Sequence, residues 1–258
     1  MSTDVTQKFF AAKILSNSEV ASDIFSMTLH APEIAGDVKP GQFAMVYLGR
    51  GEMLLPRPIS FCDANPAEGT VNLVYQVVGK GTKAMAEMPA GENVKILAPI
   101  GNGFFLDRIT ATPAIVGGGI GTPPLLLAAK ALAAKGIKPD VFLGFRSNSI
   151  LVKEFETVAR NVYIATEDGS HGHKGYVTEL LKNGNNYQEI ISCGPAALLQ
   201  ALKTYAASIN IPCQVSLEER MGCGVGTCVG CVVKMYGTFV RICAHGPVFD
   251  ANEVDLNG

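Results

Sequence analysis

Short alternating or apolar runs fill the first hundred positions, and near residue 109 the pattern changes to longer apolar stretches. Residues 22–29 set Ile24 on one side and Phe25, Met27 and Leu29 on the other. Residues 42–48, 70–78 and 93–99 are short runs rich in Val, Tyr, Phe and Ile, set apart by Pro40-Gly41, Gly79-Lys80-Gly81 and Pro89-Ala90-Gly91. Strands of this length and spacing predict a small β-barrel, with one short helix over 82–88. Further on, Ala114-Ile115-Val116 runs into Gly117-Gly118-Gly119-Ile120-Gly121, and a helix is expected over 123–135. Strands over 141–145, 162–165 and 189–192 then alternate with helices over 152–159 and 195–206, the pattern of a parallel sheet covered on its faces. After Pro212 the chain becomes rich in Gly and Cys and is too short to build its own apolar core, so another agent must hold it. The expected fold class is therefore multi-domain β plus α/β: a β-barrel over 1–107, a parallel-sheet domain over 108–212 and a small cysteine domain over 213–258.

Composition narrows the function classes. A formal charge of −2 over 258 residues, with no basic run, argues against nucleic acid as a partner. Residues 1–12 lack the charged start and apolar core of a secretory leader. The apolar runs are broken by Gly, Pro or Lys before they reach membrane-spanning length. The expectation is a cytoplasmic protein with no membrane segment.

Of seven Cys, Cys62, Cys193 and Cys213 are scattered and suit small core positions. The other four form Cys223-x4-Cys228-x2-Cys231-x11-Cys243, and the first three spacings match the plant-type [2Fe–2S] arrangement. Three thiolates from one loop must converge on two sulfide-bridged irons. Gly222, Gly224, Gly226 and Gly230 allow the tight wrap and bring bare amide N–H groups near the sulfurs. A structural zinc site also takes four thiolates, but its ligands come as two short pairs.

Arg57-Pro58-Ile59-Ser60 opens a barrel strand. Its guanidinium can fork onto a pyrophosphate, and the Ser60 hydroxyl can reach a flavin ring nitrogen. An Arg-Pro surface turn is the plain alternative. Gly79-Lys80-Gly81-Thr82 leads into the short helix, where N–H groups can hold a phosphate or Thr82 can simply cap the turn. Gly117, Gly118, Gly119, Gly121 and Thr122, followed by Pro123 and Pro124, form a strand-to-helix phosphate turn, although not a strict G-x-G-x-x-G. Cys193-Gly194-Pro195 is a second such turn, and in a parallel sheet both fall at the carboxyl edge, where ligands bind. Simple turn chemistry is the alternative for each. Glu167 and Asp168 follow a strand, where a carboxylate can meet a ribose or the nicotinamide amide, but a solvated turn is the preferred reading. His30, His171, His173 and His245 suit surface or loop positions, and residues 169–173 suggest a mobile loop. Arg146 leaves NADP open as well as NAD.

Taken in order, the barrel with Arg-Pro-x-Ser, then Gly-Gly-Gly-x-Gly-Thr-x-Pro, then Cys-Gly-Pro resembles the ferredoxin–NADP reductase superfamily over about residues 9–211. With the cysteine domain appended, and Cys243 shortly before Gly246-Pro247-Val248-Phe249, the chain resembles the electron-transfer subunits of class 1B dihydroorotate dehydrogenase. The resemblance implies FAD in the barrel, NAD on the sheet domain and a [2Fe–2S] cluster near the C-terminus. It implies Arg57, Pro58, Ile59, Ser60, Val74, Tyr75, Gln76, Gly81 and Thr82 as FAD residues, and Cys223, Cys228, Cys231 and Cys243 as iron ligands. It also implies an FMN-containing catalytic partner in a two-plus-two heterotetramer. Electrons from dihydroorotate would pass through the cluster to FAD and leave as hydride to NAD⁺, serving pyrimidine biosynthesis, with no side chain acting as acid or base. Many superfamily members have Tyr where Ile59 stands, so another residue must cover the flavin face. Two rivals remain: a reductase subunit of a hydrogenase or transhydrogenase complex, and a non-catalytic zinc or redox-sensing module.

Overall fold

The structure is a computed structural model that describes residues 7–49, 53–182 and 186–256; part of the N-terminal stretch read for a leader lies outside these. The first half holds β1 (Lys8–Ala21), β2 (Ile24–His30), β3 (Phe43–Tyr47), β4 (Arg57–Asn65), β5 (Thr70–Gln76), α1 (Lys80–Ala86) and β6 (Asn93–Ile100). All neighbouring strands are antiparallel and close a barrel in the order β1-β2-β5-β4-β3-β6. Its interior is filled by Ile14, Met27, Leu29, Ala44, Val46, Phe61, Leu73 and Ile96. The 14-residue β1 is not apparent in the sequence. Its exposed polar residues and two register shifts, at Ile14/Ser16 and Glu19/Ala21, blur the period of two.

The second half runs β7 (Ala114–Gly118), α2 (Pro123–Ala134), β8 (Asp140–Phe145), α3 (Val152–Glu156), β9 (Asn161–Thr166), β10 (His173–Lys174), α4 (Val177–Lys182), β11 (Ile190–Cys193), α5 (Ala196–Ser208) and β12 (Cys213–Ser216). The chain ends in β13 (Val232–Met235), β14 (Thr238–Arg241), α6 (Ile242–His245) and β15 (Val248–Asp250). A seven-stranded sheet has the order β10-β9-β8-β7-β11-β12-β15, parallel except for β15. Alternation splits its faces: Val116 and Phe142 pack toward α4 and α5, whereas Ile115, Val141 and Leu143 pack toward α2 and α3. Strands β12 and β15 lie beyond the expected 212/213 boundary yet complete this sheet, so the cysteine segment leaves it after β12 and returns to it at β15. Among the described residues no helix is long and apolar enough to cross a membrane.

The units are tightly joined. The outer face of the barrel contributes Cys62 and Val74 to the core beneath α2. Lys130 of α2 pairs with Asp63 of β4 at 2.5 Å. Asn102, just after β6, donates its N–H to Gly246 O at 2.6 Å and its side-chain amide to His245 O at 3.0 Å, tying the cysteine segment to the barrel.

Candidate functional site

The four clustered cysteines come together as two pairs. Cys231 and Cys243 are buried with sulfurs 3.4 Å apart. Cys223 and Cys228 stand together on the half-exposed side of the loop. Backbone donors reach one sulfur of each pair: Val225 N and Cys228 N each lie 3.4 Å from Cys223 Sγ, and Gly226 N lies 3.2 Å from Cys243 Sγ. Loss of water around Cys223 opposes its ionisation, but the N–H groups of Cys228 and Val225 outweigh it and bring the thiol down to about 6. Burial, with the adjacent Cys231, pushes the buried Cys243 up to about 12. Gly224 and Gly226 take φ of +72° and +75°, and Arg241 donates to Gly226 O, which fixes the wrap. Among the described residues no three Cys, His, Asp or Glu converge on a single-ion position. Two thiol pairs, one sulfur of each accepting from backbone N–H groups, match two bridged irons, each taking two thiolates, and fit one tetrahedral zinc less well. Cys62, Cys193 and Cys213 are buried elsewhere.

The two barrel motifs meet in space. Arg57 lies against Gly81, where an added Cβ would collide with the guanidinium, and its Nη1 donates to Leu55 O. The Thr82 hydroxyl accepts from Val78 N at 2.9 Å and from Gly79 N at 3.2 Å, so it caps the helix while Gly81 faces the arginine. A guanidinium held beside bare helix-start backbone is a suitable pyrophosphate cradle. Pro58, Ile59 and Ser60 pair with Met45, Ala44 and Phe43 of β3. On β5, Val74 faces the sheet domain, and Gln76 is exposed. Tyr75 turns into the barrel, where its hydroxyl donates to Asn17 Oδ1 at 2.9 Å and burial pushes it up to about 12. Only the backbone of Tyr75 is therefore placed to meet a ligand. A cavity of about 600 Å³ lies between barrel and sheet, lined among others by Ser26, Val74, Ser149, Ile150, Glu154 and His171.

At the carboxyl edge of the sheet the two glycine turns interlock. A Cβ on Gly121 would lie 2.5 Å from Gly194 N and 2.6 Å from Cys193 O, and one on Gly118 would lie 2.7 Å from Leu198 and 2.9 Å from Pro195. A Cβ on Gly117 would meet Thr122 Oγ1 at 3.0 Å, whereas Gly119, at φ +51°, faces open space. Thr122 is fully buried, and its hydroxyl has no partner among the described residues. A buried orphan at a helix start is the kind of group a bound phosphate or amide satisfies. Cys193 is raised well above its ordinary value by burial and then by the charge of Glu218, whose Oε1 lies 3.8 Å from its sulfur. Glu218, two residues past β12, carries no motif, and only the sheet order brings it to this edge. The 169–173 loop, expected to be mobile, is pinned: Thr166 Oγ1 bonds both His171 O and His171 N, and Ser170 Oγ donates to Ser147 O. Asp168 accepts from Ser170, which holds its carboxyl below the usual range and marks it as a turn cap. All four histidines are exposed.

Comparison with known proteins places this geometry. Residues 218–255 match the family model of the iron–sulfur cluster binding domain of dihydroorotate dehydrogenase B. The chain is 40% identical over 252 residues to the electron transfer subunit of dihydroorotate dehydrogenase B (NAD(+)) from Listeria innocua, covering 95% of this chain and 98% of that one. It is 36% identical over 251 residues to the same subunit from Clostridium acetobutylicum, covering 97% and 99%. Among solved structures, one reported for a NADH-dependent reduced ferredoxin–NADP oxidoreductase and flavin-based electron bifurcation matches with a TM-score of 0.87 and 29% identity, over 95% of this chain and 90% of that one. A ferredoxin–NADP⁺ reductase from Neisseria gonorrhoeae shares the fold at a TM-score of 0.64 and 18% identity, over 79% and 92%. Near-complete coverage at this identity means that the chain belongs to the family of electron transfer subunits of NAD⁺-dependent dihydroorotate dehydrogenase B.

Proposed function

We propose that this chain transfers electrons between NAD(H) and a dihydroorotate-oxidising partner, as the non-catalytic subunit of a pyrimidine-biosynthetic oxidoreductase. The observation that carries the reading is the pairing of four cysteines, with amide donors on Cys223 and Cys243, beside a barrel whose Arg57 and Gly81 form a pyrophosphate cradle. Cys223, Cys228, Cys231 and Cys243 would hold a [2Fe–2S] cluster. Arg57, Pro58, Ile59, Ser60, Val74, Tyr75, Gln76, Gly81 and Thr82 would hold FAD. Gly117, Gly118, Gly119, Gly121, Thr122, Cys193, Gly194 and Pro195 would receive NAD. When bound, the flavin supplies the exchange between two-electron hydride chemistry and the one-electron chemistry of the cluster. The side chains position and screen these groups, and none needs to act as acid or base. The partner is an FMN-containing catalytic subunit in a two-plus-two heterotetramer, and the compartment is the cytoplasm.

The likeness to the bifurcating oxidoreductase favours one second reading, a reductase subunit of another redox complex. Reconstitution separates the two. With the FMN subunit of dihydroorotate dehydrogenase, the chain should support dihydroorotate-dependent NAD⁺ reduction; failure alongside intact flavin and cluster bands favours the second reading.

A further inference from the structure

Strand β3 pairs with the strand that carries Arg57 to Ser60, and its outer face meets the cysteine loop. Along it, Ala44 and Val46 point into the barrel, whereas Phe43 and Met45 join the core that also contains Cys231 and Cys243. Met45 is fully buried. A Cβ on Gly224, next to Cys223, would lie 2.5 Å from Met45 Cγ and 3.2 Å from Met45 Sδ. With φ at +72°, both the space and the backbone at this position call for glycine. Along one edge β3 is hydrogen-bonded to β4, with Met45 opposite Pro58 and Ala44 opposite Ile59, and along the other to β6. Met45 therefore meets the cysteine loop through its side chain and the candidate flavin strand through its backbone. Paired strands lie only about 4.8 Å apart.

We infer that the Met45–Gly224 contact is the positioning element that sets the efficiency of electron transfer between flavin and cluster. The inference rests on the cofactor reading above. With NADH as donor, the flavin would take a hydride, leaving NAD⁺; its two electrons would then leave one at a time, each reducing the cluster by one, with the proton released to solvent. Met45 is neither oxidised nor reduced; it fixes the seat of the cysteine loop on the barrel, and electron transfer weakens steeply with separation.

The test uses the anaerobic holoprotein with both groups loaded. NADH is added by stopped flow, and flavin and cluster bleaching are followed as separate phases. Iron and sulfide content and the EPR spectrum of the reduced cluster are recorded for each variant. Met45→Ala and Gly224→Ala should lower the ratio of cluster to flavin rate constants about ten-fold. Met45→Leu should give a smaller drop at full iron content, and Met27→Leu, at an equally buried barrel methionine, should leave the ratio unchanged. An unchanged ratio in iron-replete Met45→Ala and Gly224→Ala overturns the inference. If those two variants lose iron, an unchanged ratio in Met45→Leu overturns it. Absent flavin or cluster bands in the unaltered protein overturn the reading beneath it, and the inference with it.

Discussion

Arg57 and Gly81 share one space: the guanidinium from β4 fills the volume that any side chain at position 81, in the first turn of α1, would need. If this is a pyrophosphate seat, Arg57→Ala removes charge-assisted hydrogen bonds worth about 1.5–3 kcal/mol. FAD should then bind roughly ten- to a hundred-fold more weakly. Gly81→Ala should do the same by displacing the arginine. Fluorescence titration of the FAD-stripped protein measures both. Unchanged affinity in both variants would remove the cradle from the site.

Replacing any one of Cys223, Cys228, Cys231 or Cys243 by Ser should abolish iron and sulfide binding while flavin absorbance persists, because FAD is assigned to a separate barrel. Cys62→Ala, in a different core, should retain full iron. Metal and sulfide analysis with visible absorbance reads both. Equal iron loss from Cys62→Ala would contradict the ligand set.

At the sheet edge, Gly121→Ala should drive the Gly117–Thr122 turn away from Cys193 and Gly194, which approach an added Cβ to 2.5–2.6 Å. The KM for NADH should rise by about ten-fold or more. Flavin and cluster bands should be retained. Steady-state assay with an artificial acceptor measures this, and an unchanged KM would place the nicotinamide elsewhere.

Asp140 starts β8 fully buried. Burial raises its pKa, but hydrogen bonds from Arg160 Nε at 2.8 Å, Asn161 Nδ2 at 3.0 Å and Tyr187 Oη at 3.0 Å outweigh that and hold it below the usual carboxylate value. A depressed folded pKa contributes stability fully above the unfolded value of about 3.9 and loses it as pH falls through the folded value. Asp140→Asn should therefore cost about 1–3 kcal/mol at neutral pH. The deficit should shrink below about pH 4, as the unaltered protein loses the same contribution. Thermal melts across pH measure this; a deficit that does not vary with pH would contradict it.

Local chemistry made much of this architecture legible. Strand-turn-helix transitions at Gly117 and Cys193 and the spacing of Cys223, Cys228 and Cys231 are written in consecutive residues. What was not legible depends on distant partners. Strand β1 is blurred by its register shifts. The four residues of β12 include buried Gln214 and Ser216, and only pairing with β11 and β15 makes them a strand. Glu218 reaches Cys193 solely through that sheet order. Tyr75 stands in a motif, yet the period of two turns its ring into the barrel, toward Asn17.

The most direct test of the whole account is an anaerobic NADH titration of the purified chain, followed by absorbance and EPR. The account predicts flavin bands and broad iron–sulfur absorbance, both bleached by NADH, with a reduced-cluster EPR signal appearing as they fade. A colourless protein that retains zinc and does not respond to NADH would contradict it.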